Sequence, residues 1–306
     1  MRFNPSMTGL LLSLIFAASV SAASQKLAFD NRPVVEVKND SVCNLDRLVH
    51  SKSSAVEDRS ARLNPERISV LNWNVYKGKR DNWATDFKRY SYRHDVVTIQ
   101  EAHMGEELES LLGDEHQHWT LNAAFNYQER ATGVVTASSV RPVYTCGQRT
   151  LEPLIRTPKT SLVSYYPIQD MDEHLLVANI HGVNFSLGVE AYKEQIQKLY
   201  DIVKHHRGPV VLAGDFNTWS EERMQIVQVL ARRLSLASLD YTNHNRTSVF
   251  GNALDHVFYR GLEPLEHDTW HVTSSDHNPT RVSFSVNRYY LTGQGIAANE
   301  IDENNC

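Results

Sequence analysis

The sequence predicts an α/β protein with β-sheets inside and helices outside. Two observations carry that expectation. From Ile68 to Val286, short runs rich in β-branched and aromatic residues follow one another closely, and between them stand a few stretches with apolar residues at helical spacing. Interleaving of this kind builds layered sheets covered by helices and leaves active groups on loops at strand ends. With 306 residues, 41% hydrophobic and 22% charged, the chain can bury such a core.

In order along the chain, MRFNPSMTGLLLSLIFAASVSAAS has a basic start at Arg2, an apolar stretch from Gly9 to Ala18 and a small-residue pattern at Val20-Ser21-Ala22. Residues 1–22 are expected to be a secretory signal, because the apolar run is shorter than the roughly 20 residues that span a bilayer. The mature protein is then secreted or periplasmic, without a transmembrane span; the alternative is an uncleaved anchor. Residues 23–65 are mixed and polar and are expected to form an N-terminal arm, helix-like around Leu45 to Lys52. The regular domain is expected over 66–290. ISVLNWNVY and DVVTIQEA are strands with WATDFKRYSY as a helix between them, and TGVVTASS, TSLVSYYPI and HLLVANIHG continue the strands. Val189 to His206 is an amphipathic helix with Tyr192, Ile196, Leu199 and Val203 on one face, stopped by Arg207-Gly208-Pro209. VVLAGDF is a strand, and SEERMQIVQVLARRL a helix that Ser220 can cap while Glu221 and Glu222 suit its dipole. LDHVFYRG, EHDTWHVT and TRVSFSV close the domain as strands, and residues 291–306 read as a flexible acidic tail.

The three cysteines, Cys43, Cys146 and Cys306, would meet an oxidising compartment after export. Cys43 with Cys146 is the expected bridge, since Cys306 sits on the polar tail, although spacing alone leaves other pairings open. None has a zinc-site spacing. The net charge of −5 becomes one unit more negative once Arg2 leaves with the signal. That balance opposes indiscriminate coating of nucleic acid and leaves room for a locally basic cleft.

Chemistry concentrates where apolar runs end on polar groups: Asn74 in LNWNVY, Glu101 in TIQEAH, His181 in ANIHG, Asp215 and Asn217 in AGDFN, Asp255 in ALDHVF, and Asp276 with His277 in SSDHNP. Singly each has an ordinary explanation, a turn for Asp215 and Asn217 or a satisfied core histidine for His181. Together they suit phosphate-ester hydrolysis. Oxygen ligands such as Glu101, helped by Asn74 or Asp276, fit magnesium, manganese or calcium rather than zinc. Asp215 can take a proton from water, and Asn217, two residues on along an extended backbone, would point the same way to orient it. His277 can donate to the phosphate while Asp255 holds its ring.

This ordered set, NWNV, IQEAH, NIHG, LAGDFN, LDHVFY and SDHNP, resembles the endonuclease/exonuclease/phosphatase superfamily, which includes pancreatic-type deoxyribonuclease and neutral sphingomyelinases. The likeness runs from about Ile68 to Val286. It implies a four-layer α/β sandwich of two packed, mostly antiparallel sheets flanked by helices. It further implies a divalent metal at Glu101, Asp215 as base, Asn217 on the scissile phosphate, His277 paired with Asp255, and Asn74, His181 and Asp276 completing the pocket. RTPKTSLVSYYP and IHGVNFSLGVEAYKEQI look like its YafD-like bacterial branch, in which Arg156 and Lys159 would be phosphate contacts. Lys77, with Lys79 and Arg80, would form a basic lip and contact substrate. No segment like the tyrosine-bearing one of apurinic-site enzymes stands out, and no exposed apolar element that would reach lipid is legible. The expected function is a monomeric, Mg2+- or Mn2+-dependent phosphodiesterase, Ca2+ being the third candidate ion, that acts as a nuclease on DNA or RNA. The alternatives are a phospholipid or small phosphomonoester hydrolase and a non-catalytic binding protein on the same fold.

Overall fold

The computed structural model describes residues 43, 61–115, 118–242 and 245–291, and the strand backbones at 25–29 and 32–37. The signal, the stretch around Leu45 to Lys52, Cys306 and the acidic tail beyond residue 291 lie outside the described residues. The chain enters one sheet through β1 (Gln25–Phe29), β2 (Arg32–Val37), β3 (Ile68–Asn74), β4 (Val96–His103), β5 (His118–Tyr127) and β6 (Arg130–Ser138). It crosses to a second sheet for β7 (Tyr144–Leu151), β8 (Pro158–Pro167), β9 (His174–His181), β10 (Val210–Asp215) and β11 (Ala237–Ser238). A short hairpin of β12 (Ser248–Val249) and β13 (Asn252–Ala253) precedes β14 (Asp255–Arg260), and β15 (Leu262–Thr269) and β16 (Thr280–Val286) return to the first sheet. Spatial order is β15-β16-β3-β4-β6-β5-β1-β2 in the eight-stranded sheet and β11-β14-β10-β9-β8-β7 in the six-stranded one. Only β3 with β4 and β9 with β10 pair in parallel among the described strands. Helices α1 (Trp83–Ser91) and α2 (Glu106–Glu115) connect strands of the first sheet, and α3 (Glu190–Val203) and α4 (Glu221–Arg233) those of the second.

Three apolar cores separate four layers. One, with Val97, Ile99, Leu71 and Trp73, packs the eight-stranded sheet on α1 and α2 through Phe87, Leu108 and Leu112. A second packs Leu176, Ala178, Leu212 and Val210 on α3 and α4 through Tyr192, Leu199, Val227 and Leu230. The third lies between the sheets, where Ile68, Val70, Val96, Val177, Val211, Val257 and Phe284 meet. Alternation along β10 decides the partition: Val210 and Leu212 face the helices, Val211 and Ala213 the other sheet. The fold is therefore the four-layer α/β sandwich of mostly antiparallel sheets that the resemblance implies.

Two departures have local causes. The arm is not wholly outside the domain, since β1 pairs antiparallel with β5, Leu27 opposite Asn122, and β2 with β1. Cys43 is bonded to Cys146 on β7, Cα to Cα 5.5 Å, which ties the same segment to the second sheet. The helix α2 is a further addition, its acidic first turn, Glu106, Glu107 and Glu109, suiting the dipole.

Candidate functional site

Between the sheets, the apolar face turns polar towards one end of every central strand. On β3 the inward face reads Ile68, Val70, Asn72, Asn74; on β4 Val96, Thr98, Gln100; on β9 Leu175, Val177, Asn179, His181; on β10 Val211, Ala213, Asp215. The antiparallel β14 begins at that end with Asp255. Leaving buried amides unpaired is costly, and most of these are linked: Gln100 Nε2 donates to Asn72 Oδ1 (2.9 Å) and Asn179 Oδ1 (2.7 Å), and Asn179 Nδ2 to Val135 O (2.8 Å), while Asn72 Nδ2 and Gln100 Oε1 have no partner among the described residues. They form the polar floor of the site. Register then sets its walls, since His181 lies beside Asp215 and Asp215 beside Asp255 across three neighbouring strands.

Asp215 is buried, and burial raises its carboxyl to about 6 although His277 and Lys159 pull the other way. Its Oδ2 accepts from Asn74 Nδ2 (3.0 Å) and its Oδ1 from the backbone N–H of Asn217 (3.0 Å). His277 Nε2 stands 3.7 Å from Asp215 Oδ2, and Nδ1 is bonded to Asp255 Oδ2 at 2.8 Å. Burial disfavours its charge, but Asp255 and then Asp215 carry its pKa up to about 10, so the ring is an imidazolium at neutral pH. His181 behaves oppositely. Burial and then Lys159 hold its pKa well below normal, and its neutral Nε2 accepts from Lys159 Nζ (2.7 Å), 3.6 Å from Asp215 Oδ2 and 3.9 Å from Glu101 Oε1.

Glu101 reaches the site through an irregularity. Strict alternation on β4 would turn it with Ile99 towards the helices, but the register shifts between Ile99 and Ala102, and Glu101 takes φ 52°. Burial would raise its carboxyl; Lys77, bonded to it, and Lys159 hold it below its usual value. Asp276, largely exposed on the loop before β16, is raised by burial and by the charge of Glu101, against His277. Ser275 Oγ donates to Asn74 O (2.7 Å) and Trp73 Nε1 to His277 O (2.9 Å), which fixes this loop over the end of β3.

The oxygen donors Glu101, Asp276 and Asn74 Oδ1 fit a hard divalent ion. The tighter group Asp215, Asp255 and His277, whose donor atoms lie within 4.8 Å of one another, suits a proton relay better, since His277 Nδ1 is already spent on Asp255 Oδ2, while Asp255 Oδ1 has no partner among the described residues. Asn74, Lys77, Glu101, Lys159, His181, Asp215, Asn217, Asp255 and His277 converge as the sequence expects. Two expectations need correction. Arg156 is exposed in the β7–β8 turn at φ 54° and makes none of these contacts, its backbone N–H closing the turn on Glu152 O (2.8 Å). Asn217 is not extended but at φ 51°, because Asp215 caps its N–H in an Asx-type turn, and its Nδ2 donates to Gly182 O (2.9 Å). Lys77 meets Glu101 first of all, from a loop in which Tyr76, Lys77 and Gly78 all have positive φ.

Sequence reasoning passed over the floor amides Gln100 and Asn179 and the buried Arg223. For the amides, period two from Val96 and Val177 was the available signal; for Arg223, helical spacing to Val227, Leu230 and Ala231.

A model of the Endonuclease/Exonuclease/phosphatase family matches residues 71–277, which contain every residue named at the site. Among solved structures, an endonuclease/exonuclease/phosphatase from Beutenbergia cavernae shares 16% identity over 72% of each chain, with a TM-score of 0.53. The human Nocturnin catalytic domain, with a bound sulfate, shares 16% over 74% of this chain and 96% of its own, at 0.54. A Bacteroides thetaiotaomicron mannosyl-6-phosphatase shares 15% over 71% and 99%, at 0.51. At such identities the likeness extends to the fold alone.

Proposed function

We propose, from the premise that the chain belongs to the endonuclease/exonuclease/phosphatase family, that it is an exported divalent-metal-dependent phosphodiesterase whose substrate is DNA or RNA. Members of this family hydrolyse phosphate esters, typically with a divalent ion. The observation that carries the reading is the line Asn74, Asp215, His277, Asp255 at the sheet ends, in which a buried carboxylate raised to about 6 stands 3.7 Å from an imidazolium.

Each group suits one task. Asp215 is ionised at neutral pH yet more basic than a surface aspartate, so it can take the proton of an attacking water. Asn74 Nδ2 on Oδ2 and the N–H of Asn217 on Oδ1 fix the carboxylate, and the remaining lone pairs can orient that water. His277 can donate from Nε2 to a phosphate oxygen as negative charge grows there, and Asp255 keeps the ring charged and oriented. Asn217 has one amide hydrogen on Gly182 O and a second for the phosphate. Lys159 and His181 add positive charge and a fixed wall. Glu101, Asp276 and Asn74 would hold Mg2+ or Mn2+, or Ca2+, and such an ion would neutralise a non-bridging oxygen. In that state Lys77 would turn from Glu101 to the substrate.

Nucleic acid is favoured by the lip beside the site. Lys79 lies over the rings of Tyr76 and Tyr127, 5.2 Å and 4.9 Å from their centroids, and Arg80 over Tyr76 at 5.7 Å, a cationic and aromatic surface that suits phosphates and bases. A phospholipid is the second reading, and one observation favours it. Although no lipid-reaching element was legible in the sequence, Leu154, Ile155, Phe185, Leu187 and Phe250 are exposed, the last two above 80%. Glu152, accepting from the N–H of Phe185, joins the first two pairs.

End-labelled single- and double-stranded DNA incubated with the protein, with magnesium, with chelator and with Asp215→Ala alongside, tests the proposal. Chelator-sensitive cutting absent from the variant supports it. An inert, folded, metal-loaded sample that releases headgroup from phospholipid vesicles would transfer the assignment to the second reading.

A further inference from the structure

Arg223 stands in the first turn of α4 and is 1% exposed, yet among the described residues no carboxylate lies within ion-pairing distance of it. A buried guanidinium without a carboxylate partner is costly unless every N–H is used. Here the fork is spent on three main-chain carbonyls and one serine hydroxyl. Nη1 donates to Val183 O and to Asn217 O (3.2 Å), and Nη2 to Asn184 O (2.9 Å) and Ser186 Oγ (3.1 Å). The rings of Tyr192 and Trp219 lie 4.7 Å and 4.5 Å from the guanidinium carbon.

Those acceptors belong to the two segments that leave β9 and β10 at the site. Val183 and Asn184 follow His181 and Gly182; Asn217 follows Asp215 by two residues. The ring partners are tied to the same segments, since Tyr192 OH donates to Phe216 O (2.8 Å) and Trp219 Nε1 to Asn184 Oδ1 (2.9 Å). Asn217 is at φ 51°, and its amide donates to Gly182 O. Its conformation therefore depends on both segments keeping their spacing.

We infer that Arg223 is a positioning residue for phosphoester hydrolysis, clamping the Gly182–Asn184 and Asn217 backbones so that the free amide hydrogen of Asn217 points at the scissile phosphate. The inference rests on the proposed hydrolase reading. Lysine would keep the charge but has neither the fork nor the planar face for two rings, so Arg223→Lys separates geometry from charge.

The test measures kcat and KM for bis(p-nitrophenyl) phosphate with Mg2+ in wild type, Arg223→Lys, Asn217→Ala and the double variant, with melting curves. Misplacing a positioned group by a fraction of an ångström costs kcat rather than binding, so Arg223→Lys should lose about tenfold or more in kcat with KM little changed. The double variant should fall no lower than Asn217→Ala, because Arg223 acts through that amide. If instead the two losses multiply, or Arg223→Lys keeps full kcat, the inference is wrong. A folded wild type inert to every phosphoester would overturn the hydrolase reading. Side-chain amide resonances of Asn217 then decide the clamp: a shift in Arg223→Lys upholds it, and unchanged resonances overturn it.

Discussion

Replacing Asp255 with Asn removes a charge, keeps the shape and tests the claim that His277 is held as an imidazolium. The ring's pKa stands at about 10 in the folded protein against 6.5 for the ordinary group, with burial opposed first by Asp255 and next by Asp215. That difference corresponds to about 5 kcal/mol in favour of the protonated ring. A folded pKa above the unfolded one contributes in full below pH 6.5 and is lost as pH rises towards 10. Asp255 leads the raising influences and bonds Nδ1 directly at 2.8 Å, so about half of the total, ~2–3 kcal/mol, should vanish with its charge. Urea unfolding of the metal-free protein in chelator, from pH 6 to 10, measures this. Wild type should lose stability across the interval, the variant should lose much less, and the gap between them should narrow towards pH 10. Two parallel curves would refute the reasoning. With Mg2+, kcat on a diester at pH 7 should fall by about two to four orders of magnitude, as loss of a ring-orienting carboxylate does in hydrolytic triads.

Acid should act through other rings. Burial lowers His256 and His206 to about 4, so both are neutral when folded, and stability should begin to fall as pH drops through 6.5 and continue to about 4, by up to ~3 kcal/mol per ring. His256→Asn should flatten that fall in urea midpoints taken between pH 7 and 4.5; an unchanged slope would contradict it. The Cys43–Cys146 bridge spans 103 residues, so Cys146→Ser should cost about 4 kcal/mol, and reductant should lower the melting temperature of wild type but not of the variant. At Gly214, φ 155°, a Cβ would fall 2.0 Å from Ile180 O, so Gly214→Ala must push β10 from β9 and should cost roughly 3 kcal/mol or more together with activity. A soluble, fully active Gly214→Ala would show that the close approach is dispensable.

The candidate site was more legible in the sequence than the sheet margins were, and the reason is periodicity. Strands buried on both faces announce themselves as continuous apolar runs, and where such a run ends on Asn, His or Asp at alternate positions the polar end can be located without coordinates. That is the case for Asn74, His181 and Asp215. At the margins the pattern fails, because β1 and the edge strand β2 are short and carry charged residues, so QKLAF and RPVVEV look like coil. Exposure of Leu154, Ile155 and Phe250 is equally invisible, since an apolar residue in a loop reads the same whether it is covered or bare.

Backbone conformations with positive φ were harder still, and they matter most to the chemistry. Glu101 and Asn217 both reach the site by leaving the extended geometry that their strands would impose, Glu101 by a bulge and Asn217 by a turn that Asp215 itself caps. A non-glycine residue in the left-handed region costs of order 1–3 kcal/mol, and it stays there only when surrounding contacts determine it. For Asn217 the contacts are Gly182 O, Asp215 Oδ1 and, through its own carbonyl, Arg223. The motif supplies the residue that meets the phosphate, while the conformation that aims it is secured by an arginine six positions on in the following helix. A chain that kept AGDFN and lost Arg223 would on this reasoning retain the signature and lose much of the rate.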